Sequence, residues 1–398
     1  MQCLPTSPEE AARYFSSRMD IDLDLLEYNF RYIQEKVRPA SVVAVIKANA
    51  MGHGARYVGR ALQGMGATLL GVSNFFEGVH LRDNGVTTGI LVFNGLTPAQ
   101  VEMAIALDLS FFGIDPDFLS MVNDTARSLR KKARVHLKVD TGMGRKGFLP
   151  DQAHEIASVV PRLDHVQVDG VASHLASPYL EEHDEFSRAQ YQKFMTAASI
   201  VDPHHKAIWH FAASSGAIRF PSTYADAVRP GALIYGTGRV WPIPWPLKPV
   251  SSFSSILAQV KVLPKGHNVG YRLHYTAPSD IEIGVVPIGT TDGLTSEHAD
   301  TGLVLIRGRR CRIIGICSCE MMVDVSAVPE ARSGDEVVVF GRQGSEEITA
   351  VDCATMGKTS YANLLTRIPP RVPRLYWRHG RCTGADLMGQ EIRAKEVE

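Results

Sequence analysis

The stretch Ser41-Val-Val-Ala-Val-Ile46-Lys47-Ala48-Asn-Ala-Met-Gly-His-Gly54 runs from an apolar segment through a single lysine into a loop of small residues. An apolar, β-branched run of this length reads as a strand buried on both faces. Such strands belong to parallel sheets covered by helices. A lysine at the carboxyl end of one falls where the strands of a parallel α/β barrel open into their active-site loops. Removal from water there lowers an amine's pKa and makes Lys47 a usable nucleophile toward an aldehyde cofactor. The plain alternative is a strand-end lysine that reaches solvent.

Outward from this stretch, strand-like runs alternate with helical ones from about Ile21 to Gly236, the pattern of repeated βα units. The expected strands are Val42–Lys47, Leu69–Ser73, Ile90–Asn94, Leu109–Ile114, Val135–Asp140, Gly170–His174, Ala207–Phe211 and Ala232–Tyr235. Between them lie helix candidates such as Leu23–Val37, with Leu25, Leu26, Phe30 and Ile33 at helical spacing, and Glu185–Ala198. Eight units fit an α/β fold of the (β/α)8, TIM-like barrel type. A doubly wound open sheet is the alternative, but no glycine fingerprint follows a first strand.

After Tyr235 the pattern changes. A proline-rich connector, Val240 to Pro249, precedes short alternating runs such as Ser255–Val262, Leu303–Ile306 and Glu336–Phe340. Pro264-Lys-Gly, Ser333-Gly-Asp and Gly341-Arg-Gln-Gly punctuate them as turns. The expected organisation is a barrel over residues 1–240, its first residues able to pair with the second domain, a mostly-β domain over 241–380, and a peripheral tail over 381–398.

Composition narrows the classes. The chain of 398 residues is 45% hydrophobic, with 42 basic against 42 acidic side chains and no basic block, so nucleic acid has no electrostatic footprint here. Met1 to Asp20 lacks the apolar core of a secretory signal, and no apolar run reaches spanning length. No membrane partner is expected, and a cytoplasmic protein is. Cys3, Cys311, Cys317, Cys319, Cys353 and Cys382 lack paired metal-ligand spacing and read as reduced thiols, with Cys317 and Cys319 on one strand face. No metal is expected.

A second segment, His136-Leu-Lys-Val-Asp-Thr-Gly-Met-Gly-Arg-Lys-Gly-Phe148, places Lys138, Asp140 and Arg145 at and after a strand's carboxyl end. Charges there are costly unless paired. They read either as an ion-pair network closing a barrel mouth or as an anion site for a substrate carboxylate, with Arg145 as the bidentate group.

These two segments, with Ala227-Val-Arg-Pro-Gly-Ala-Leu-Ile-Tyr-Gly236, Val286-Pro-Ile-Gly289 and Asp292-Gly293, resemble the alanine racemase family of fold-type III pyridoxal-phosphate enzymes in order and spacing. The likeness runs from about Asp20 to Tyr376, and Lys138-Val-Asp-Thr-Gly-Met-Gly-Arg145 is its most specific part. The resemblance implies pyridoxal 5′-phosphate as cofactor, an amino acid as small-molecule substrate, and a head-to-tail homodimer with shared active sites. By position it makes Lys47 the Schiff-base lysine and Tyr275 the opposing base, contributed by the partner subunit. Racemisation needs such a pair, one group on each face of Cα. An ordinary tyrosine is a poor base, and the resemblance implies support through His174 and Arg229. Arg229 would face the pyridine nitrogen with His210 beside it, and Ser214 with the amides of Gly231 and Ala232 would hold phosphate. Lys138 matches a lysine that family members often carry as a carbamate. Without the resemblance, Tyr275 reads as a cross-strand packing aromatic and His174 as a satisfied barrel histidine.

Several pocket positions depart from the family pattern. Met51 and Pro370 stand where the family has tyrosines, as does Thr290 after Pro-Ile-Gly. Ala213 replaces an asparagine and Ser318-Cys319 a Met-Asp pair, so Thr290 and Ser318 fall among the substrate-pocket positions. Loss of rings at the entrance opens volume for a side chain larger than methyl, although tolerated drift would give the same letters. The expected function is a pyridoxal-phosphate-dependent amino-acid racemase or epimerase whose substrate need not be alanine. The alternatives are another Cα-bond chemistry on the same scaffold (decarboxylase, aldolase or aminotransferase) and a non-catalytic cofactor-binding protein.

Overall fold

The computed structural model describes residues 10, 14–238 and 244–393. Cys3, residues 240–243 of the connector and residues 394–398 of the expected tail lie outside the described residues. The chain divides into two compact units, one of residues 27–50 and 55–247, the other of residues 1–26, 51–54 and 248–398.

The first unit is a closed parallel barrel. After β1 (Ser17–Asp22), which belongs to the other unit, its strands are β2 (Ser41–Val45), β3 (Leu69–Val72), β4 (Gly89–Val92), β5 (Ser110–Gly113), β6 (Ala133–Lys138), β7 (Val166–Ala172), β8 (Ile208–Ala213) and β9 (Ala227–Arg229). β9 pairs back onto β2 through Ser41 opposite Ala227 and Val42 opposite Val228, which closes the ring. Val42 to Val45 are buried, as a strand with helices outside and a packed interior requires. The helix Asp184–Val201 buries Ser187, Gln190, Phe194, Ala197, Ala198 and Val201, one face of a 3.6-residue repeat. Phe194 stacks on Phe211 of β8 at 5.1 Å between ring centroids.

The last barrel strand differs from the sequence expectation. Ala232–Tyr235 is a 3-10 turn, and the strand is Ala227–Arg229. Pro230 has no N–H to continue the ladder, so the chain leaves the barrel there. A four-residue apolar run does not distinguish a strand from a buried turn, and Leu233, Ile234 and Tyr235 are buried in the turn instead.

The second unit is built on a twelve-stranded sheet in which β1 lies between β10 (Ser251–Ile256), antiparallel, and Arg374–Arg378, parallel. The run expected as one strand over Ser255–Val262 is two. Leu257 N bonds Asp335 O and Ala258 N bonds Val285 O, so the backbone changes partner between β10 and β11 (Gln259–Leu263). The segment from Gly341 is likewise still strand to Gln343, and the reversal falls at Gly344, with φ 63. Cys317 and Cys319 follow the end of strand Arg309–Ile316 and share no strand face. The expected tail is also partly corrected. Arg381–Leu387 and Gln390–Arg393 pair in the sheet, and Cys382 and Ala385 pack on Leu375 and Trp377. Charged residues at the outward positions of this edge conceal its alternating buried face. No helix among the described residues is long and apolar enough to cross a membrane.

A chain ending at residue 380 should therefore lose stability, by at least about 3 kcal/mol for uncovering Leu375 and Trp377. An unchanged denaturation midpoint would mean that the last strands are dispensable.

Candidate active site

The carboxyl end of β2 delivers Lys47. The ladder continues one residue past the strand, with Ile46 N donating to Gly71 O at 2.8 Å, and Lys47 follows, exposed. The desolvated amine expected from the sequence is thus not produced by burial within the chain. What is unusual is the backbone that comes next. Ala48, Asn49 and Ala50 have φ/ψ of 56/53, 52/50 and 55/46, and Met51 has φ 54. Left-handed conformation costs residues with a Cβ roughly 1–2 kcal/mol each. Such strain persists only where the surroundings over-determine it.

Strand β6 supplies the second group of residues. Lys138 is buried, and its Nζ donates to Val139 O at 2.9 Å. Burial first, then the nearby guanidinium groups of Arg229 and Arg145, lower its pKa from 10.5 to about 7, against a partial offset from Asp140. Asp140 is not the ion-pair partner that its spacing suggested. Its Oδ1 accepts the amides of Gly142, Met143 and Gly144 at 3.0, 2.8 and 3.2 Å, and its Oδ2 accepts Arg145 N at 2.7 Å. Burial opposes its ionisation, but these amides together outweigh burial and hold its carboxyl below the usual range. The carboxylate thus shapes the glycine-rich loop that carries Arg145, whose side chain is left exposed.

Arg229, on β9, is buried with no carboxylate beside it among the described residues. Its Nη1 donates to His210 Nδ1 at 2.7 Å and to His210 O at 2.6 Å. Its Nη2 donates to Ser173 O at 2.5 Å, Phe211 O at 2.8 Å and His174 Nδ1 at 3.3 Å. A guanidinium only donates, so His210 accepts through Nδ1 and carries its proton on Nε2, whereas the two Nη2 hydrogens go first to the nearer Ser173 and Phe211 carbonyls and His174 Nδ1 is the most distant acceptor. His210 Nε2 then donates to His136 Nδ1, 2.8 Å away, which fixes the same tautomer there. Burial first and the Arg229 charge second hold all three rings neutral: His136 is pushed down to about 3, and His174 and His210 lie well below the usual value. Burial and Arg145 bring Arg229 itself down to about 9, still charged at neutral pH.

His136 was not assigned a role from sequence, although it stands two residues before Lys138 on the same strand face. Its ring occupies space left by Gly170, its register partner on β7. A methyl at Gly170 would fall on His136 Nδ1.

On the late side of the barrel, Ser214 begins the helix Ser214–Arg219 and its Oγ accepts Gly231 N at 3.0 Å. Ser214 and Gly231 therefore form one unit, and the hydroxyl hydrogen remains to donate to an anion. Ala232 opens the 3-10 turn beside them. The barrel thus gathers Lys138, His174, His210 and Arg229 into one electrostatic cluster that Lys47 and Arg145 also reach, with Ser214, Gly231 and Ala232 on β8 and β9 termini. These groups suit a ligand that is anionic at one end and has an acceptor nitrogen in a ring: hydroxyl and amide donors for the first, a charged guanidinium for the second, and an amine at the mouth.

The remaining expected residues lie in the second unit. Tyr275 is on a two-stranded hairpin, β12 (Asn268–Val269) and β13 (Tyr275–Thr276), opposite Val269. It is half-buried against Val269, Ala277, Ile281, Ile283 and Ile314. Thr290 and Ser318 come together: Thr290 N donates to Cys317 O at 3.0 Å and Thr291 N to Ser318 O at 2.9 Å. Arg371 Nη2 braces this pair of loops through Asp292 Oδ1 at 2.8 Å.

Residues 21–238 match the alanine racemase N-terminal domain and residues 250–376 the alanine racemase C-terminal domain. The alanine racemase of Symbiobacterium thermophilum is 37% identical over 365 residues, covering 90% of this chain and 96% of that protein. Among solved structures, the alanine racemase of Clostridium difficile 630 superposes with a TM-score of 0.88 at 28% identity, over 94% of this chain and 98% of that one. The enzyme from the D-cycloserine-producing Streptomyces lavendulae gives 0.86 at 32% identity, over 92% and 97%.

The Lys138 amine should titrate near pH 7, read by NMR on reductively methylated or isotope-labelled lysine. Because Arg145 lowers its pKa, Arg145→Ala should move the midpoint upward. A wild-type midpoint in the ordinary lysine range would contradict the burial and charge described.

Proposed function

The chain belongs to the alanine racemase family, and on that premise we propose that it interconverts the L and D forms of an amino acid by two-base proton transfer at Cα, with Lys47 and Tyr275 as the two groups. Its class is that of a pyridoxal-phosphate-dependent isomerase. The observation that carries the reading is the charged Arg229 guanidinium held among neutral histidines in the barrel that bears Lys47.

When bound, pyridoxal 5′-phosphate supplies an electron sink for the pair of electrons left at Cα as its proton departs. The chain's residues do the rest. Lys47 holds the cofactor covalently and serves as acid and base on one face of Cα. Tyr275 of the partner subunit serves the other face in a homodimer whose sites draw on both chains. Arg229 retains its proton at neutral pH, so an acceptor nitrogen facing it stays unprotonated. That limits spread of charge away from Cα and favours return of the proton there over transamination. His174, a neutral ring, can donate from Nε2 to the Tyr275 oxygen and support it as a base. Ser214, Gly231 and Ala232 hold the phosphate. Arg145 takes the substrate carboxylate, and Lys138, partly in its amine form near neutral pH, can add carbon dioxide to become a carbamate that orients Arg145.

Met51, Ala213, Pro370 and Thr290 remove polar or aromatic groups that the family pattern carries, so we read the pocket as wider and the cofactor as held less tightly. The relatives are named alanine racemase, which makes alanine the reference substrate. A larger amino acid should exceed it in specificity constant.

Chiral chromatography of single enantiomers incubated with the protein and cofactor tests this. Lys47→Ala and Tyr275→Ala should each lower racemisation by about 10²–10⁴ or more. Mixed and allowed to exchange subunits, the two variants should recover roughly a quarter of wild-type activity, since half the dimers then carry one intact site. Unchanged enantiomers for every amino acid would refute the racemase reading. Alanine as best substrate by a clear margin would refute the wider pocket. Demonstrated exchange without recovery would refute the shared site.

A further inference from the structure

The left-handed turn after Lys47 is held from outside itself. Glu77 stands in the first turn of the helix Phe75–Asp83, the element that follows β3. Its Oε1 accepts Asn49 N, in the middle of the turn, at 3.2 Å. Its Oε2 accepts Ser73 N at 2.7 Å and Ser73 Oγ at 2.9 Å, just past the end of β3. Asn49 passes the constraint on, its Oδ1 accepting Ala55 N at 2.7 Å where the helix Ala55–Gly64 begins. Within the turn, Ala50 N donates to Ile46 O at 2.8 Å, across Lys47.

We propose that Glu77 is a positioning residue of the reaction: its carboxylate pins the left-handed turn to the carboxyl end of β3 and so fixes where the Lys47 amine emerges. Asn49 is two residues from Lys47, and without the bond to Glu77 its strained backbone has a downhill path to ordinary right-handed geometry. That relaxation would swing the lysine. The chemistry calls for an ionised carboxylate in particular. Three donors converge on two oxygens, and only a carboxylate accepts at both. Glutamine has the same shape but turns one oxygen into an NH2 donor, which leaves Asn49 N or Ser73 N facing another donor.

The inference rests on Lys47 being the cofactor-holding lysine, so the test follows the loop and the lysine separately. Glu77→Gln is the diagnostic variant, with Ser73→Ala as a milder second. Amide hydrogen exchange reads Asn49, Ala50 and Ala55. Borohydride trapping with peptide mapping after adding pyridoxal 5′-phosphate reads the rate of covalent capture on Lys47. In Glu77→Gln, exchange at these amides should rise and capture on Lys47 should slow by about tenfold or more each, while β5 to β7 keep their protection. Ser73→Ala should shift both in the same direction by less. Wild-type loop protection and capture in Glu77→Gln would overturn the proposal, as would loss of protection throughout the barrel, which would mark Glu77 as merely structural. Capture of the cofactor on another lysine in the wild-type protein would overturn the lysine assignment and this inference with it, even if the loop exchanges as expected.

Discussion

A buried guanidinium with no carboxylate partner among the described residues sets the electrostatics of this barrel. Taking Arg229 out of water is expensive, and its charge is met by three backbone carbonyls and two imidazole nitrogens instead of an anion. Both imidazoles are held neutral, and His210 turns its Nδ1 lone pair toward the arginine. The second imidazole, His210, passes the same demand to His136. The uncompensated charge also bears on Lys138. The interior of the barrel is therefore a field of positive charge with neutral, oriented donors. Such a field is suited to anions arriving from outside, as the proposed function requires.

The arrangement depends on close packing as well as charge. His136 can reach His210 only because Gly170 leaves room for its ring. The loop bearing Arg145 keeps its shape because four amides close on Asp140. Lys47 is placed by a backbone that no isolated peptide would hold. Removal of His210 would leave a buried donor on Arg229 unpaired, which costs more than the interaction itself contributes.

Much of the fold was legible because barrel strands buried on both faces give continuous apolar runs, and Val42 to Ile46 is the clearest. The eighth strand was misplaced because Pro230 cuts it to three residues and hands the more apolar letters to a turn. In the sheet unit, the break at Leu257-Ala258 and the strands beyond Arg381 depend on which segment lies alongside, which spacing along the chain does not record. Of the candidate site, Lys47, Lys138 and Arg145 stood out as charges at strand ends. Glu77 did not, since its partners Asn49 and Ser73 are contacts of the folded chain and its own helix looks ordinary. His136 was visible as a polar residue on a strand face, but its role follows from His210, 74 positions away.

Burial and Arg229 hold His136, His174 and His210 as neutral rings, with His136 and His210 protonated on Nε2. Nitrogen-15 NMR of ring-labelled histidine, assigned by single substitutions, reads protonation and tautomer directly. All three rings should stay neutral across the whole range in which an ordinary histidine titrates, His136 and His210 with the Nε2–H pattern, and Arg229→Gln should release at least His210 from it. A doubly protonated ring at any of the three positions near neutral pH, or an Nδ1–H tautomer at His210, would show that Arg229 does not hold these rings.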